Sequence, residues 1–177
     1  VVMIDEAYID FGGESCLPLI EKYDNLLVIQ TFSKSRSMAG MRIGFAMGNE
    51  KLIKYMNDVK FSINSYTMNH LTQLCGAEAM KDKAYFRETT DRIIATRERS
   101  KKRLGELGFT FTDSKSNFIF ASHNKKTASE IFNKLKERKI FVRYWNKPII
   151  GNHLRISIGT DDEMDRLFAA LEEIINE

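Results

Sequence analysis

Five residues in the first quarter of the chain have the types and order to act together on one ligand. They are Asp5 and Tyr8 in "IDEAY", Ser33 and Lys34 in "TFSK", and Arg42, eight positions after the lysine. A lysine amine held partly out of water loses basicity and condenses with an aldehyde to an imine. A carboxylate beside a pyridine nitrogen keeps that nitrogen protonated and makes the ring an electron sink. A hydroxyl next to a guanidinium forms half a cup for a phosphate, and a phenol adds a hydrogen bond to a ring hydroxyl. Taken singly, each residue has a plainer use. Asp5 serves as a loop or capping carboxylate, Tyr8 as packing, Lys34 and Arg42 as solvated charges, and Ser33 as nothing in particular. Their order, spacing and strand context together fit pyridoxal 5'-phosphate.

Such a set needs rigid elements to hold it. Residues 1–4 are an apolar, β-branched run that predicts a strand buried on both faces. A loop with Gly12 and Gly13 and a short helical segment, "LPLIEKY", lead to a second apolar strand, "NLLVIQTF" (25–32). Strand, crossover and strand predict a parallel, right-handed unit. Its carboxyl edge, where ligands collect in open α/β sheets, would bring Asp5 and Lys34 to one cavity. "RIGFAMG" (42–48) predicts a third strand. Asn49 caps a helix with Leu52, Ile53 and Met56 on one side, and "NSYTMNHL" leads into another through "TQLCGAEAMK". A long helix follows over about 81–107, with Phe86, Ile93, Leu104 and Leu107 as its apolar stripe, and Gly108 stops it. The basic run inside it, "RERSKKR" (97–103), reads as a solvated face.

The rhythm then changes. "NFIFAS", "IFVRYW" and "HLRISIG" predict strands. Thr127 with Glu130 and Thr160 with Glu163 have capping-box spacing. They open helices whose apolar faces are Ile131, Phe132 and Leu135 in the first, and Met164, Leu167, Phe168, Leu171, Ile174 and Ile175 in the second. The order β-α-β-β-α predicts a small α+β domain over 109–177, with 1–80 as one part of a larger domain and 81–108 as the connecting helix.

At 43% hydrophobic and 29% charged residues the composition is that of an ordinary globular protein. A net charge of +3, spread along the chain, argues against nucleic acid. No apolar run approaches a membrane span and no signal-peptide pattern opens the chain. Cys16 and Cys75 lie far apart and fit free thiols in the cytoplasm, and the scattered His70, His123 and His153 give no metal spacing. "VVMIDEAY" begins directly on strand residues, with neither leader nor initiator methionine, and reads as a chain cut in mid-domain.

"DEAY", "TFSKSRSMAGMRIGFA", "NFIF" and "HLRISIG" resemble the second half of a fold-type I, pyridoxal-phosphate-dependent aminotransferase, most closely the histidinol-phosphate aminotransferase family. The resemblance covers essentially all 177 residues, and "SKSRSMAGMRIG" is its most specific part. It implies an α/β fold made of a remnant of the large-domain sheet plus the small C-terminal α+β domain. It assigns Lys34 and Asp5 as catalytic. Lys34 carries the Schiff base, Asp5 and Tyr8 hold the pyridine nitrogen and ring hydroxyl, and Ser33 and Arg42 bind the cofactor phosphate. The family's paired arginines match Arg143 and Arg155, whose two guanidinium groups suit a phosphorylated amine substrate.

The implied reaction is ping-pong transamination of histidinol phosphate with 2-oxoglutarate, forming glutamate, with Lys34 shuttling the proton. The resemblance also implies a homodimeric full-length protein and an N-terminal half with the rest of the cofactor site, so that this chain alone would be inactive. Other readings are threonine-phosphate decarboxylase, an aromatic or branched-chain aminotransferase, and a non-catalytic binding module of the same fold. Retention of the five cofactor-type residues weighs against the last.

Overall fold

Val2–Asp5 (β1) pairs in parallel with Leu26–Thr31 (β2), Val2 opposite Leu26 and Asp5 opposite Ile29. On its other side β2 pairs antiparallel with Gly44–Gly48 (β3). The computed structural model describes all residues, 1–177, in two compact units, Val1–Thr90 and Asp91–Glu177. Only β2 has neighbours on both sides in the first unit, and there the burial follows, with Leu26, Leu27 and Val28 inside. The expectation for β1 is corrected: Val2 and Met3 are 50% and 59% exposed. Its β-branched run reports strand propensity, but one edge of β1 pairs with nothing and little covers its faces.

The crossover between β1 and β2 holds two 3₁₀ turns, Ile9–Phe11 and Leu17–Glu21. Phe11, fully buried, anchors the first, and Pro18 at the start of the second supplies a preset φ without needing a donor. Two helices follow, Glu50–Ile63 (α1) and His70–Lys81 (α2). The Asn49 carboxamide accepts from Lys51 N, and that of Asn69 from Thr72 N, as N-caps do. The apolar side expected of α1 is not buried: Leu52 and Ile53 are half-covered and Met56 is 43% exposed. The long helix, Lys83–Glu106 (α3), ends before Gly108, which takes a φ of 82°.

In the second unit Phe109–Phe111 (β4), Phe118–His123 (β5), Arg143–Tyr144 (β6) and Leu154–Ser157 (β7) form an antiparallel sheet in the order β4-β5-β7-β6. β4 is unexpected, because three residues are too few to display a period. β6 is only two residues of the expected "IFVRYW". Ala128–Glu137 (α4) and Asp161–Asn176 (α5) supply the core partners of this sheet. Ile131, Leu135, Leu171 and Ile174 of these helices are fully buried with Ile119, Ala121, Leu154 and Ile156 of the strands. The capping box of α5 is complete, Thr160 N donating to Glu163 Oε2 at 2.8 Å. That of α4 is half made. Thr127 accepts from Glu130 N, but the Glu130 carboxylate turns to Lys126 at 3.1 Å.

The basic run in α3 is not wholly solvated. Arg97 is 1% exposed and Ser100 fully buried, because they share the inward face with Leu104 at spacings of three and four. The Arg97 guanidinium donates to Ser116 O at 3.0 Å and to Glu98, which satisfies the buried charge. No helix is long and apolar enough to cross a membrane.

Candidate active site

The parallel register of β1 and β2 fixes where the chemistry-bearing side chains emerge. Asp5 ends β1, and Lys34 lies three residues past the end of β2, so both leave the sheet at its carboxyl edge. The Lys34 ammonium sits 5.3 Å from the centre of the Tyr8 ring, at cation–π distance, and has no carboxylate partner. One oxygen of Asp5 accepts from Ala7 N at 3.0 Å, which fixes the carboxylate and leaves its second oxygen unused by that turn. Asp5 and Arg42 are exposed and Tyr8, Ser33 and Lys34 half-buried, so the set lines an open sheet edge.

The loop after β2 is folded by its own hydroxyls. Thr31 Oγ1 donates toward Ser33 Oγ at 3.0 Å and accepts from Ser33 N at 3.1 Å. Thr31 Oγ1 also lies 3.2 Å from Ile43 O, and its single proton serves one of the two acceptors. Met38 N returns to Phe32 O at 3.0 Å, closing the turn around Lys34. Arg42 adopts the left-handed conformation, φ 56°, at the end of the 3₁₀ turn Ala39–Met41, and one of its N–H groups donates to Ala39 O at 3.0 Å. The rest of its donor fork is uncommitted. An amine, a carboxylate, a phenol, a serine hydroxyl and a guanidinium on one unit are group types that fit part of a pyridoxal phosphate site.

The second unit carries the two expected substrate arginines. Arg143 and Arg155 are direct partners across β6 and β7, so both project from one face of the sheet. Leu154 and Ile156, each 1% exposed, point to the other face, into the core. Arg155 lies 4.6 Å over the Phe118 ring and Arg143 5.2 Å over Trp145. Neither has a carboxylate partner, and Arg155 Nε is buried without any acceptor. Like charges directly opposed in a ladder repel, and a buried unpaired donor is costly. An oxyanion between the two guanidinium groups would relieve their mutual repulsion.

Residues 1–171 match the family described as "Aminotransferase class I and II". The chain belongs to this aminotransferase family. A histidinol-phosphate aminotransferase of Brachyspira hyodysenteriae is 53% identical over 176 residues, 99% of this chain and 50% of that protein. Another, from Lactococcus lactis subsp. cremoris, is 52% identical over 175 residues, 99% of this chain and 49% of that one. The chain spans about half the length of the curated relatives it matches. Among solved structures, the Sinorhizobium meliloti histidinol-phosphate aminotransferase, in complex with pyridoxal-5'-phosphate, superposes with a TM-score of 0.85 at 29% identity. It covers 99% of this chain and 49% of that one. The Clostridium acetobutylicum enzyme, at 23% identity and a TM-score of 0.90 over 99% of this chain and 54% of that one, shares the fold. The α/β architecture is therefore that of the fold-type I aminotransferases.

Several residues that shape this aminotransferase site escape a reading of motifs. Glu6, 6% exposed, accepts from Cys16 N at 2.6 Å, Ser15 Oγ at 2.8 Å and Gln30 Nε2 at 2.9 Å, tying the loop beside Asp5 to β2. Ser35 Oγ donates to Asp10 Oδ2, and Arg36 donates to Ala79 O at 2.6 Å. Glu6, Asp10, Ser35 and Arg36 all lie inside or beside the quoted motifs. Their partners, however, are 9 to 43 positions away, and spacing within a motif carries no signal of such contacts.

Proposed function

We propose that this chain is the Lys34-bearing half of a pyridoxal-phosphate-dependent aminotransferase acting on histidinol phosphate, with 2-oxoglutarate and glutamate as the second substrate pair. The observation that carries the proposal is the convergence of Asp5, Tyr8 and Lys34 at one sheet edge, with the Lys34 ammonium over the Tyr8 ring. On this reading residues 1–80 belong to the large cofactor-binding domain, 81–108 form the connecting helix and 109–177 the small domain. The reaction is cytoplasmic, and the complete protein is a homodimer. Exposed apolar side chains on α1 and α2, among them Val59, Phe61, Leu71 and Leu74, support association.

Bound, pyridoxal phosphate supplies an aldehyde for the amine and a ring that takes up the electron pair released at the substrate's α-carbon. Lys34 Nζ holds the cofactor until substrate arrives, then removes and returns the proton as general base and acid. Asp5 keeps a proton on the pyridine nitrogen. Tyr8 orients the ring hydroxyl, and Ser33 with Arg42 binds the phosphate. Arg143 and Arg155 hold the substrate's phosphate ester, whose two negative charges match two guanidinium groups better than a single carboxylate does.

The test is to incubate the chain with pyridoxal phosphate, reduce with borohydride and map the modified lysines by mass spectrometry. A pyridoxyl group concentrated on Lys34 supports the reading. Modification spread over many lysines, with Lys34 labelled no more than the rest, counts against an organised half-site in this chain.

A further inference from the structure

The backbone ladder that fixes Asp5 ends before Lys34 begins. Asp5 belongs to the β1–β2 register, whereas Lys34 stands three residues beyond the last paired residue, Thr31. Something other than the sheet must place its Cα. The side chain of the next residue does so. Ser35 is 6% exposed, and its hydroxyl donates to Asp10 Oδ2 at 2.5 Å across 25 positions. Asp10 lies in the 3₁₀ turn Ile9–Phe11, two residues after Tyr8, and the fully buried Phe11 anchors that turn. The bond therefore joins the loop that carries Tyr8 to the turn that carries Lys34.

The other side of that turn is held as well. Arg36 donates to Ala79 O, a carbonyl in the last turn of α2, and stacks 4.2 Å over Phe86. Ser37, with a left-handed φ of 54°, donates its N–H to Lys34 O at 3.1 Å. Lys34 is thus followed by two anchored residues, Ser35 and Arg36, while its own ammonium has no ionic partner.

We propose that Asp10 and Ser35 are a positioning pair for the aminotransferase lysine. Their charge-assisted hydrogen bond sets the separation of Lys34 and Tyr8, and so aims the amine along the Tyr8 ring toward the cofactor's aldehyde. The aim toward the cofactor rests on the reading given above; the aim at Tyr8 does not. An ionised acceptor makes this bond stronger than a neutral one. Loss of either partner would leave the other unsatisfied and release the turn on the Tyr8 side only.

The experiment compares the chain with Asp10→Ala, Ser35→Ala, Asp10→Asn and Ser35→Thr, each checked by its thermal midpoint. Lysines are mapped twice: after pyridoxal phosphate and borohydride, and after trace acetic anhydride without cofactor. In the parent chain the pyridoxyl group should concentrate on Lys34. In both alanine variants its share at Lys34 should fall about fivefold, the size of one ordinary hydrogen bond, while Lys34 gains reactivity toward the anhydride. Ser35→Thr keeps the hydroxyl and should give the parent pattern, and Asp10→Asn, a weaker neutral acceptor, should restore part of it, which general destabilisation would not explain. Equal Lys34 shares in parent and alanine variants would overturn the pair alone. Scattered pyridoxyl groups in the parent, with anhydride reactivity still responding to the alanines, would overturn the cofactor reading and leave the pair standing. Scatter with no anhydride response would overturn both.

Discussion

The two units of this chain are held together by different physics. In Asp91–Glu177, sheet and helices share one continuous apolar core from Leu104 to Ile174, and only Phe141 and Ile149 stand out as large exposed apolar side chains. In Val1–Thr90 the buried apolar set is Phe11, Leu26, Leu27, Val28 and Phe32, while Val2, Met3, Val59, Phe61, Ile63 and Leu71 face outward. Both units carry long-range polar cross-links, Arg97 to Ser116 and Arg103 to Glu172 in the second, but in the first they act on a much smaller apolar core: Glu6 to Ser15, Cys16 and Gln30, Asp10 to Ser35, and Arg36 to Ala79. Apolar packing is non-directional and builds a scaffold. Hydrogen bonds are directional and aim side chains. The unit that carries the amine is the one with the smaller scaffold, so its directional bonds have less packing behind them.

The contrast predicts unequal responses to truncation. Leu171→Ala removes a fully buried side chain and should cost about 3 kcal/mol. Ile63→Ala, at a side chain 80% exposed, should cost less than about 0.5 kcal/mol. Denaturant unfolding followed by Trp145, the only tryptophan and a residue of the second unit, reads the first change directly; circular dichroism reads both. Equal costs would erase the distinction.

A smaller effect concerns the arginine pair. Inorganic phosphate should raise the thermal midpoint of the chain, and Arg155→Gln should weaken that binding about tenfold, or about 1.4 kcal/mol. A midpoint that rises equally in Arg155→Gln would remove the anion seat from the second unit. Next in size, Thr160→Ala breaks the complete capping box of α5 and should cost about 1 kcal/mol. Thr127→Ala should cost less, since only half of its box is made.

The smallest effect is electrostatic. Hydrogen bonds from Lys134 and Arg138 hold the Glu177 carboxyl below its ordinary value of 4.5. A depressed acid stabilises the fold above its unfolded value and loses that contribution as pH falls through its folded value. Glu177→Gln should therefore flatten only the acid limb below about pH 4.5, and high salt should do the same. A change confined to alkaline pH would contradict the assignment.

The second unit is the more legible of the two in sequence. The faces of α4 and α5 follow from a 3.6 period sustained over several turns, and each predicted inward residue is buried or packed against the core. Where the pattern was short or one-sided, reading failed. Residues 1–4 look like an interior strand because Val and Ile favour strands whether or not anything covers them. Leu52, Ile53 and Met56 look like a core face because helical spacing shows which side is apolar, not whether anything covers it. Arg97 looks like solvent because its charge outweighs its position in the α3 period. At the site, the order "DEAY" to "SK" to "AGMR" is local and readable, and the parallel β1–β2 pair brings the first two to one edge. The Asp10–Ser35 and Arg36–Ala79 contacts are long-range and follow only from the folded chain.

On the proposed function, Lys34 transfers the proton in transamination of histidinol phosphate. That role is tested most directly by joining the first half of the Brachyspira hyodysenteriae relative to this chain and measuring glutamate formed from histidinol phosphate and 2-oxoglutarate, beside the same hybrid with Lys34→Ala. The account predicts turnover in the first and none above background in the second, although both fold and take up pyridoxal phosphate. Equal rates in the two hybrids, or a folded, cofactor-loaded hybrid that turns over other amino donors but not histidinol phosphate, would contradict it.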